Sequence, residues 1–304
     1  MQLDHRQTEA FLAVIDSGSF DAAASRLHLT AAAVSQRVRA LETGLGATLL
    51  VRARPCHATA AGQKLLQYLR RARLLEEDFH AEFSGGEQAA LSIALAVNAD
   101  TLGTWLLPAL APFLIAERVL IDVTVDDQDH TYALLAAGQA LACVSTERQA
   151  MRGCVAEPLG IMRYRMLAAP EYARRCFPHG FRREEARTAP VMVFNRKDAL
   201  QADFLQRHFG LPPGSYPCHH VPATEPFLAA IALGLGYGMV PELQAGPELA
   251  AGRVVDLAPD WPVDVALYWH RWKVQSPRLE RLSRLAVASA RSVLLPEAGQ
   301  GGAA

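Results

Sequence analysis

The chain has 304 residues, of which 51% are hydrophobic and 20% are charged, and its formal net charge is -1. These values are ordinary for a globular protein of two or three domains. The five cysteines are widely spaced and form no C-x-x-C pair, which argues against a disulfide framework and against a zinc module. The first residues show no apolar segment behind a basic start, and no apolar run reaches the length of a membrane span. We therefore expect a cytoplasmic protein with no membrane partner.

The N-terminal region predicts three helices, of which the second and third are joined by a tight turn. The first helix is predicted at residues 3–17. Ser19 and Thr30 stand where the next two helices begin, and each can cap its helix by accepting a backbone N–H bond. Apolar residues at helical spacing give both helices a buried face, and such a pair is typical of a helix-turn-helix that reads DNA with its later helix. The residues expected to contact DNA are Ser19, Thr30, Ala31, Ala32, Ser35, Gln36, Arg37 and Arg39.

Positive charge is concentrated around this motif. From Arg26 to Arg73 the chain has nine arginine and lysine residues and one acid, Glu42. Contacts to phosphates supply much of the affinity of proteins for DNA and make it depend on salt. A charge run more often marks a solvated helix face. Because this run coincides with the helix-turn-helix pattern, DNA binding is the favoured interpretation.

A short β-prone run at residues 48–59 is typical of the wing of a winged helix-turn-helix. It carries Arg52 and Arg54, which we expect to follow the DNA backbone. Thr59 can cap the next helix, which is predicted to extend to about residue 83. Apolar residues recur on that helix at alternating spacings of three and four, and they pack either against their own domain or against a second copy of the chain, which we favour. This dimer stripe consists of Leu65, Tyr68, Ala72, Leu75 and Phe79.

Residues 84–88 (SGGEQ) predict a linker, and beyond it short β runs alternate with helices. Such alternation is typical of an α/β fold with mostly parallel sheets. The region is long for one lobe, so we predict two lobes with crossovers near 145–160 and near 260–265. Ligands in such folds bind beyond the carboxyl ends of strands and in the cleft between lobes.

Six segments resemble one branch of a known family. They are AVSQRVRALE (33–42), LLVRARP (49–55), AGQKLL (61–66), VNADTLGTWLLPALAP (97–112), LPPGSYPCH (211–219) and LYWHRW (267–272). With the order of winged helix-turn-helix, linker helix and α/β lobes, they make the whole chain similar to LysR-type transcriptional regulators. The AVSQR segment marks the superfamily, and the block at 97–112 is specific to the ArgP/LysG branch.

The resemblance implies a two-lobed effector domain like that of periplasmic binding proteins. It implies a response to lysine or arginine, control of basic amino acid export, and no cofactor or metal. The implied partners are a double-stranded DNA operator, RNA polymerase and further copies of the chain in a homodimer or homotetramer. The chain departs from the family at Ala31 and Ala32, where polar residues are common; alanine can still contact a thymine methyl group, but the operator sequence of the family is not carried over.

The predicted domain boundaries follow from the same order of elements. The winged helix-turn-helix is expected at 1–59, the linker helix and hinge at 60–88, and the effector-binding domain at 89–304. Within the last, lobe I is expected at about 89–161 and 266–304, and lobe II at about 162–265.

A lysine or arginine ligand needs donors for its carboxylate and acids for its two cations. Asp100 and Thr101 follow the predicted strand at 91–97 and precede a helix. Thr101 and free N–H groups of that helix suit the ligand carboxylate. Asp100 either receives the α-ammonium or caps the helix.

The acidic loop after the next predicted strand is the expected site for a second cation. Asp126 and Asp127 either bind the cationic side chain or belong to an ordinary polar loop, in which Asp129 caps the following helix. Thr224 and Glu225 open a later helix, where they either cap it or contact the ligand.

Two other classes of function are disfavoured. An enzyme would need a nucleophile with its base, paired acids or a cofactor loop, and the glycines at 234, 236 and 238 follow a predicted helix without a lysine, so they do not form a nucleotide loop. A transport-type binding protein would need export and would not carry a DNA-binding unit. Among regulators, the alternative is one of another pathway with a different small-molecule effector, and the sequence does not decide between activation and repression.

Overall fold

A computed structural model describes residues 3–83, 92–127 and 130–297. The chain divides into two compact units, residues 1–91 with 136–141, and residues 92–135 with 142–304. The predicted linker at 84–88 and the predicted cap Asp129 lie outside the described residues. The elements of the first unit are α1 (His5–Ser17), α2 (Phe20–Leu27), α3 (Ala31–Leu45), β1 (Leu50–Val51), β2 (His57–Ala58) and α4 (Ala60–Phe83).

Side-chain caps set where the first three helices begin. Asp4, Ser19 and Thr30 each accept a hydrogen bond from the backbone N–H three residues further on. Each of these bonds satisfies an N–H that has no partner within the helix. Helix α2 ends at His28, whose φ of 53° turns the chain tightly into α3. The caps predicted at Ser19 and Thr30 are confirmed, and α1 begins two residues later than predicted because Asp4 is its cap.

The three helices enclose a small apolar core, which the wing and α4 complete. Its fully buried residues include Phe11, Val14, Ala23, Val34 and Val38. Strands β1 and β2 pair antiparallel as the predicted wing. The Glu42 carboxylate accepts the backbone N–H groups of Leu49 and Leu50, at 2.8 and 3.3 Å. The one acid in the basic run thus fixes the start of the wing.

Helix α4 begins at the predicted cap. The Thr59 hydroxyl oxygen accepts the N–H of Gly62 at 3.1 Å, and the hydroxyl donates its proton to the carbonyl of Thr48 at 2.7 Å.

The dimer stripe on this helix divides into a buried part and an exposed part. Leu65 is buried in its own unit, Ala72 is half-buried, and Tyr68 and Leu75 are 53% and 41% exposed. The side chain of Phe79 lies outside the described part of the chain.

The second unit is an α/β fold built on one nine-stranded sheet. Its strands are β3 (Ser92–Val97), β4 (Leu120–Val125), β5 (Ala142–Ser145), β6 (Cys154–Ala168), β7 (Val191–Val193), β8 (Cys218–His220), β9 (Tyr237–Pro241), β10 (Val255–Asp256) and β11 (Val263–Trp272). Its helices are α5 (Ala99–Thr101), α6 (Leu107–Ala116), α7 (Thr131–Ala136), α8 (Pro170–Cys176), α9 (Arg183–Thr188), α10 (Leu200–Phe209), α11 (Thr224–Ala232), α12 (Glu242–Ala250) and α13 (Pro277–Val293). A π-helical turn, Leu102–Leu106, joins α5 to α6.

The sheet is mixed, so the prediction of a mostly parallel sheet is wrong. The strand order is β4-β3-β5-β11-β6-β9-β7-β8, with β10 paired to β6. Strand β3 is parallel to β4 and β5, and β7 is parallel to β8 and β9. Between these two groups, β6 and β11 pair antiparallel, because the chain passes from the first group to the second along β6 and returns along β11. The lobe boundaries given above stay a prediction.

Apolar side chains of the long strands pack against the helices around them. Trp269 and His270 are fully buried and Trp272 is 6% exposed, so all three side chains belong to the core. None of the five cysteines is in a disulfide, and Cys143 and Cys154 are buried.

One helical segment among the described residues, Ala99–Ala116, is long and apolar enough to cross a membrane by length and composition. It consists of α5, the π-helical turn and α6, and its Trp105, Leu106 and Leu110 side chains are buried within the α/β unit. Core helices of globular domains have the same length and composition.

Candidate ligand cavity and nucleic-acid interface

The second unit contains a cavity of about 300 Å³, a size that suits a small ligand. Its wall is formed where β3, β4 and β7 end, with contributions from β6, β9, α10, α11 and α12. The charged residues of the wall are Asp100, Asp126, Asp127, Asp198, Arg196 and Lys197, and the apolar ones include Val125, Phe194, Phe227 and Met239. The predicted position beyond the carboxyl ends of parallel strands therefore agrees with the geometry.

Of the first predicted pair of ligand residues, Asp100 and Thr101, only Asp100 lines the cavity. Asn98 caps α5 by accepting the N–H of Thr101 at 3.2 Å, so the suggestion that Asp100 is the cap is wrong. Asp100 instead faces the cavity and accepts a hydrogen bond from the Tyr164 hydroxyl at 2.7 Å. Thr101 is fully buried and is not part of the cavity wall, and its N–H donates to the cap.

The environment of Asp100 raises the pKa of its carboxyl group above the usual value. The pKa of Asp100 is raised to about 6, because burial and the nearby charges of Asp198 and Asp127 raise it by more than the hydrogen bond from Tyr164 lowers it. Tyr164, on β6, was not predicted from the sequence. Its hydroxyl meets the Asp100 carboxylate although the two residues are 64 positions apart in the chain.

The acidic loop after β4 lines the cavity as predicted, and it carries an ion pair that the sequence did not indicate. The Lys197 ammonium lies 2.7 Å from Asp126 Oδ1, which also accepts the N–H of Asp127 at 2.8 Å. Burial raises the pKa of Asp126, but Lys197 and the Asp127 N–H outweigh it, and the pKa of Asp126 lies below its usual value. The Asp127 carboxylate lies 4.0 Å from His130 Nδ1.

The loop after β7 supplies a fourth acid, Asp198, which the sequence analysis missed. Asp198 accepts the backbone N–H groups of Phe194 and Leu200, at 3.1 and 3.0 Å, and the side-chain amide of Gln201 at 3.0 Å. Burial raises the pKa of Asp198, these backbone N–H groups lower it, and the nearby charge of Asp127 raises it. The rule that located the acids after β3 and β4 applies equally to the polar residues that follow the β-prone run PVMVF at 190–194, and it would have found this loop.

Of the last predicted pair, Thr224 and Glu225, only Thr224 lines the cavity. Helix α11 begins at Thr224 after Ala223, without a side-chain cap, and Thr224 lies in the cavity wall. A Cβ atom added to Gly103 would lie 3.2 Å from Thr224 Cγ2, so the glycine lets the segment after β3 come close to α11. Glu225 is exposed and outside the wall because it faces away along the helix.

The arrangement of charges favours a small cation with an apolar stem. Four carboxylates and two cationic side chains share the wall with apolar residues. Burial and nearby negative charges raise the pKa values of Asp100 and Asp198, which means that the charged forms of both carboxylates are destabilised. A cation bound beside them would offset this destabilisation. Within residues 3–83, 92–127 and 130–297, no group of three or more His, Cys, Asp or Glu side chains is placed to hold a metal ion.

The candidate nucleic-acid interface lies on α3 and the wing. Ala32, Gln36, Arg39, Arg52 and Arg54 are exposed, and Ala31, Ser35 and Arg37 are half-buried. The Arg52 guanidinium donates to the Ser35 hydroxyl at 3.5 Å and lies 5.0 Å above the ring of Phe20. These contacts tie the wing to the helix-turn-helix. The hydroxyl oxygens of Ser19 and Thr30 accept the capping bonds, which leaves each a proton to donate.

Part of the predicted positive charge is neutralised by an acid from outside the basic run. Asp16 pairs with Arg26 at 3.4 Å and with Arg70 at 3.0 Å. The count of nine cations therefore overstates the charge that can meet phosphates. The arginines of α3 and of the wing make up most of what remains near the motif.

A helix-turn-helix with a two-stranded wing, followed by a long helix and an α/β unit with a ligand cavity, defines a DNA-binding regulator that responds to a small molecule. Two family models match the chain. Residues 5–63 match the bacterial regulatory helix-turn-helix protein of the lysR family, and residues 84–291 match the LysR substrate binding domain. The chain belongs to the LysR family of transcriptional regulators.

The chain is similar to regulators named ArgP and LysG. It is 40% identical to the HTH-type transcriptional regulator ArgP of Aeromonas salmonicida, over 97% of this chain and 99% of the relative. It is 43% identical to LysG of Mycobacterium tuberculosis, over 95% of this chain and 94% of the relative.

Two solved structures have the same fold and cover 97% of this chain and 100% of their own length. ArgP from Mycobacterium tuberculosis has a TM-score of 0.84 at 42% identity. The full-length regulator LysG from Corynebacterium glutamicum, solved with the bound effector Arg, has a TM-score of 0.79 at 36% identity.

Proposed function

We propose that this regulator senses arginine or lysine in the cavity of its α/β unit and controls the promoter of a basic amino acid exporter. The observation that supports this most is the cluster of acids at the cavity, Asp100, Asp126, Asp127 and Asp198, in a chain similar to LysG, whose structure holds arginine as effector. Charge and cavity size both suit a basic amino acid.

The two cations of such a ligand need separate acids. The proposed position of the α-ammonium is beside Asp100, where the Tyr164 hydroxyl bond holds the carboxylate in place. The proposed position of the side-chain cation is beside Asp127 and Asp198. The apolar wall residues then pack against the methylene groups, which both lysine and arginine contain.

DNA recognition is assigned to α3 and the wing. Gln36 and Arg39 are exposed on α3 and are proposed to read base edges in the major groove. Arg52 and Arg54 are proposed to contact phosphates. Ala31 and Ala32 can contribute methyl contacts to thymine.

We further propose a homodimer or homotetramer that engages two operator regions and RNA polymerase. The exposed Tyr68 and Leu75 of α4 support pairing with a second copy, since two apolar side chains two helical turns apart lie on the same face of the helix. The ligand changes transcription when it binds one assembly geometry more tightly than another.

Isothermal titration with arginine, lysine and leucine tests the effector assignment. Saturable binding of the two basic amino acids, with none for leucine, is the expected result. Leucine has an apolar side chain of comparable bulk but no second cation, so it separates charge recognition from binding of any amino acid. Absence of binding by either basic amino acid would instead favour a LysR-type regulator of another pathway.

A further inference from the structure

An amino acid brings a carboxylate into a cavity whose wall already carries four carboxylates. Because like charges repel, these acids favour a decarboxylated amine, which keeps both cations of a basic amino acid and lacks its negative charge. Thr101, which the sequence predicted as a partner of the ligand carboxylate, is not part of the wall. A cavity that prefers amino acids therefore needs a cation in its wall.

The wall contains two cationic side chains, and they differ in their partners. The Lys197 ammonium is already paired with Asp126 at 2.7 Å. The Arg196 side chain lines the cavity, is exposed, and has no hydrogen-bond or ion-pair partner within residues 3–83, 92–127 and 130–297. Of the two, Arg196 can meet an anion from solution without giving up a bond.

Arg196 is carried by a turn whose backbone is held in place. It is the second residue of the turn 195–198, in which the Asp198 N–H donates to the Asn195 carbonyl at 3.3 Å. The side-chain oxygen of Asn195 accepts the N–H groups of Lys197 and Asp198, at 2.7 and 3.2 Å, and the Asp198 carboxylate accepts the N–H of Phe194 at 3.1 Å. These bonds fix the position of the Arg196 backbone at the cavity wall.

The same turn lies near the proposed position of the ligand α-ammonium. Asp100 and the turn line one cavity, and the charge of Asp198 is close enough to raise the pKa of Asp100. In an α-amino acid the ammonium and the carboxylate share one carbon atom, so a ligand whose ammonium is beside Asp100 places its carboxylate nearby. A guanidinium offers two parallel N–H donors, which match the two oxygens of a carboxylate.

We infer that Arg196 binds the α-carboxylate of the ligand and thereby makes the cavity select basic amino acids over their decarboxylated amines. This inference rests on the proposed function, and it adds the group that recognises the carboxylate. With a decarboxylated amine in the cavity, Arg196 keeps its positive charge without a partner and repels the two cations of the ligand. The same residue thus attracts the amino acid and disfavours its competitor.

The test is isothermal titration of the full chain with arginine, lysine and agmatine, which is arginine without its carboxylate. The wild-type protein should bind arginine at least about five times more tightly than agmatine. In Arg196→Met, which keeps an apolar stem without the charge, arginine binding should weaken at least about fivefold, because a charge-assisted bond is lost. Agmatine should bind the variant equally well or more tightly, so the preference for arginine should shrink at least about fivefold.

Arg207→Met is the matched control, because Arg207 is exposed on α10, lies outside the cavity wall, and changes the net charge by the same amount. It should keep the wild-type preference. Arg196→Gln removes the charge with a polar side chain and replaces the methionine variant if that variant does not fold.

The outcomes separate this inference from the proposed function. If the wild-type protein binds neither arginine nor lysine, the proposed function fails and the inference fails with it. If it binds them but prefers arginine over agmatine by less than about twofold, the inference fails while the proposed function stands. A wild-type preference that persists in Arg196→Met also overturns the inference, and it would assign the carboxylate to neutral donors of the wall such as the Thr224 hydroxyl.

Discussion

The hydroxyl of Tyr164 donates to Asp100 Oδ2 across 2.7 Å and joins the long strand β6 to the first helical turn after β3. The two residues are 64 positions apart in the sequence. Burial raises the pKa of Asp100, the bond from Tyr164 lowers it, and the result is a pKa of about 6; the bond therefore favours the charged form that a ligand ammonium requires.

Removing that hydroxyl is expected to shift the pH dependence of ligand binding. In Tyr164→Phe the pKa of Asp100 should rise above about 6, because the hydrogen bond that lowers it is lost. Arginine binding near pH 6.5 should weaken by roughly three- to tenfold, with recovery at higher pH. Titrations between pH 5.5 and 8 measure this. Tyr132→Phe is the control, since that hydroxyl donates to the Gln149 carbonyl and lies outside the cavity wall; identical profiles for both variants would contradict the prediction.

The raised pKa of Asp100 also predicts how stability depends on pH. The folded protein binds the carboxyl proton of Asp100 more tightly than the unfolded chain does. The contribution of this group to the free energy of unfolding is therefore complete below pH 4 and is lost as the pH rises to about 6. The move from 3.8 to about 6 corresponds to about 3 kcal/mol. In Asp100→Asn the side chain cannot ionise, so this loss of stability with rising pH should disappear. The amide oxygen can still accept the hydrogen bond from the Tyr164 hydroxyl.

Calorimetry at pH 4 and pH 8 checks this expectation. The thermal transition of Asp100→Asn should exceed that of the wild-type protein at pH 8, with a smaller difference at pH 4. Asp203→Asn, at an exposed position of α10, serves as the control. A lower transition for Asp100→Asn at pH 8 would show that the charged form stabilises the fold.

Lys197 is expected to compete with the ligand. The Lys197 ammonium forms an ion pair with Asp126 Oδ1 at 2.7 Å. It is one of two cationic side chains in a wall that contains four carboxylates. In Lys197→Met the cavity becomes more negative and Asp126 is released, so arginine affinity should rise about three- to tenfold. Isothermal titration measures the change, with the exposed Lys273→Met as control. Weaker binding would mean instead that Lys197 holds the ligand carboxylate.

Arg52 is expected to contribute affinity for DNA without sequence preference. Its position on the wing, anchored by Ser35 and Phe20, suits a phosphate contact. Arg52→Ala should weaken binding to specific and random duplexes alike and reduce the slope of log K against log salt by about one. Fluorescence anisotropy over a salt series measures both. Arg152→Ala, at an exposed position of the second unit, should change neither. A loss confined to one sequence would identify Arg52 as a base-reading residue.

The exposed part of the dimer stripe predicts the effect of a charge there. Leu75 is 41% exposed on α4, so Leu75→Glu should leave the fold intact and weaken self-association, because a buried unpaired carboxylate is costly at an interface. Sedimentation analysis should show a shift to smaller species at micromolar concentration. Glu76→Gln, beside it and also exposed, is the control. An unchanged assembly would place the interface elsewhere.

The sequence by itself determined the DNA-binding motif. The caps at Ser19, Thr30 and Thr59 and the wing strands depend on residues within a few positions of one another, and such local hydrogen bonds and periodicities are written directly in the chain. The acids after β3 and β4 were found for the same reason, since the end of a strand is a local signal.

Only the tertiary structure decided which side chains meet in the cavity. Lys197 and Asp126 are 71 positions apart, and their contact depends on how β6 and β11 cross between the two parallel groups of strands. Thr101 is fully buried and Asn98 caps the helix, and Glu225 is exposed although its neighbour Thr224 lines the wall. Strand register and helix rotation fix these outcomes, and both are set by packing between distant segments.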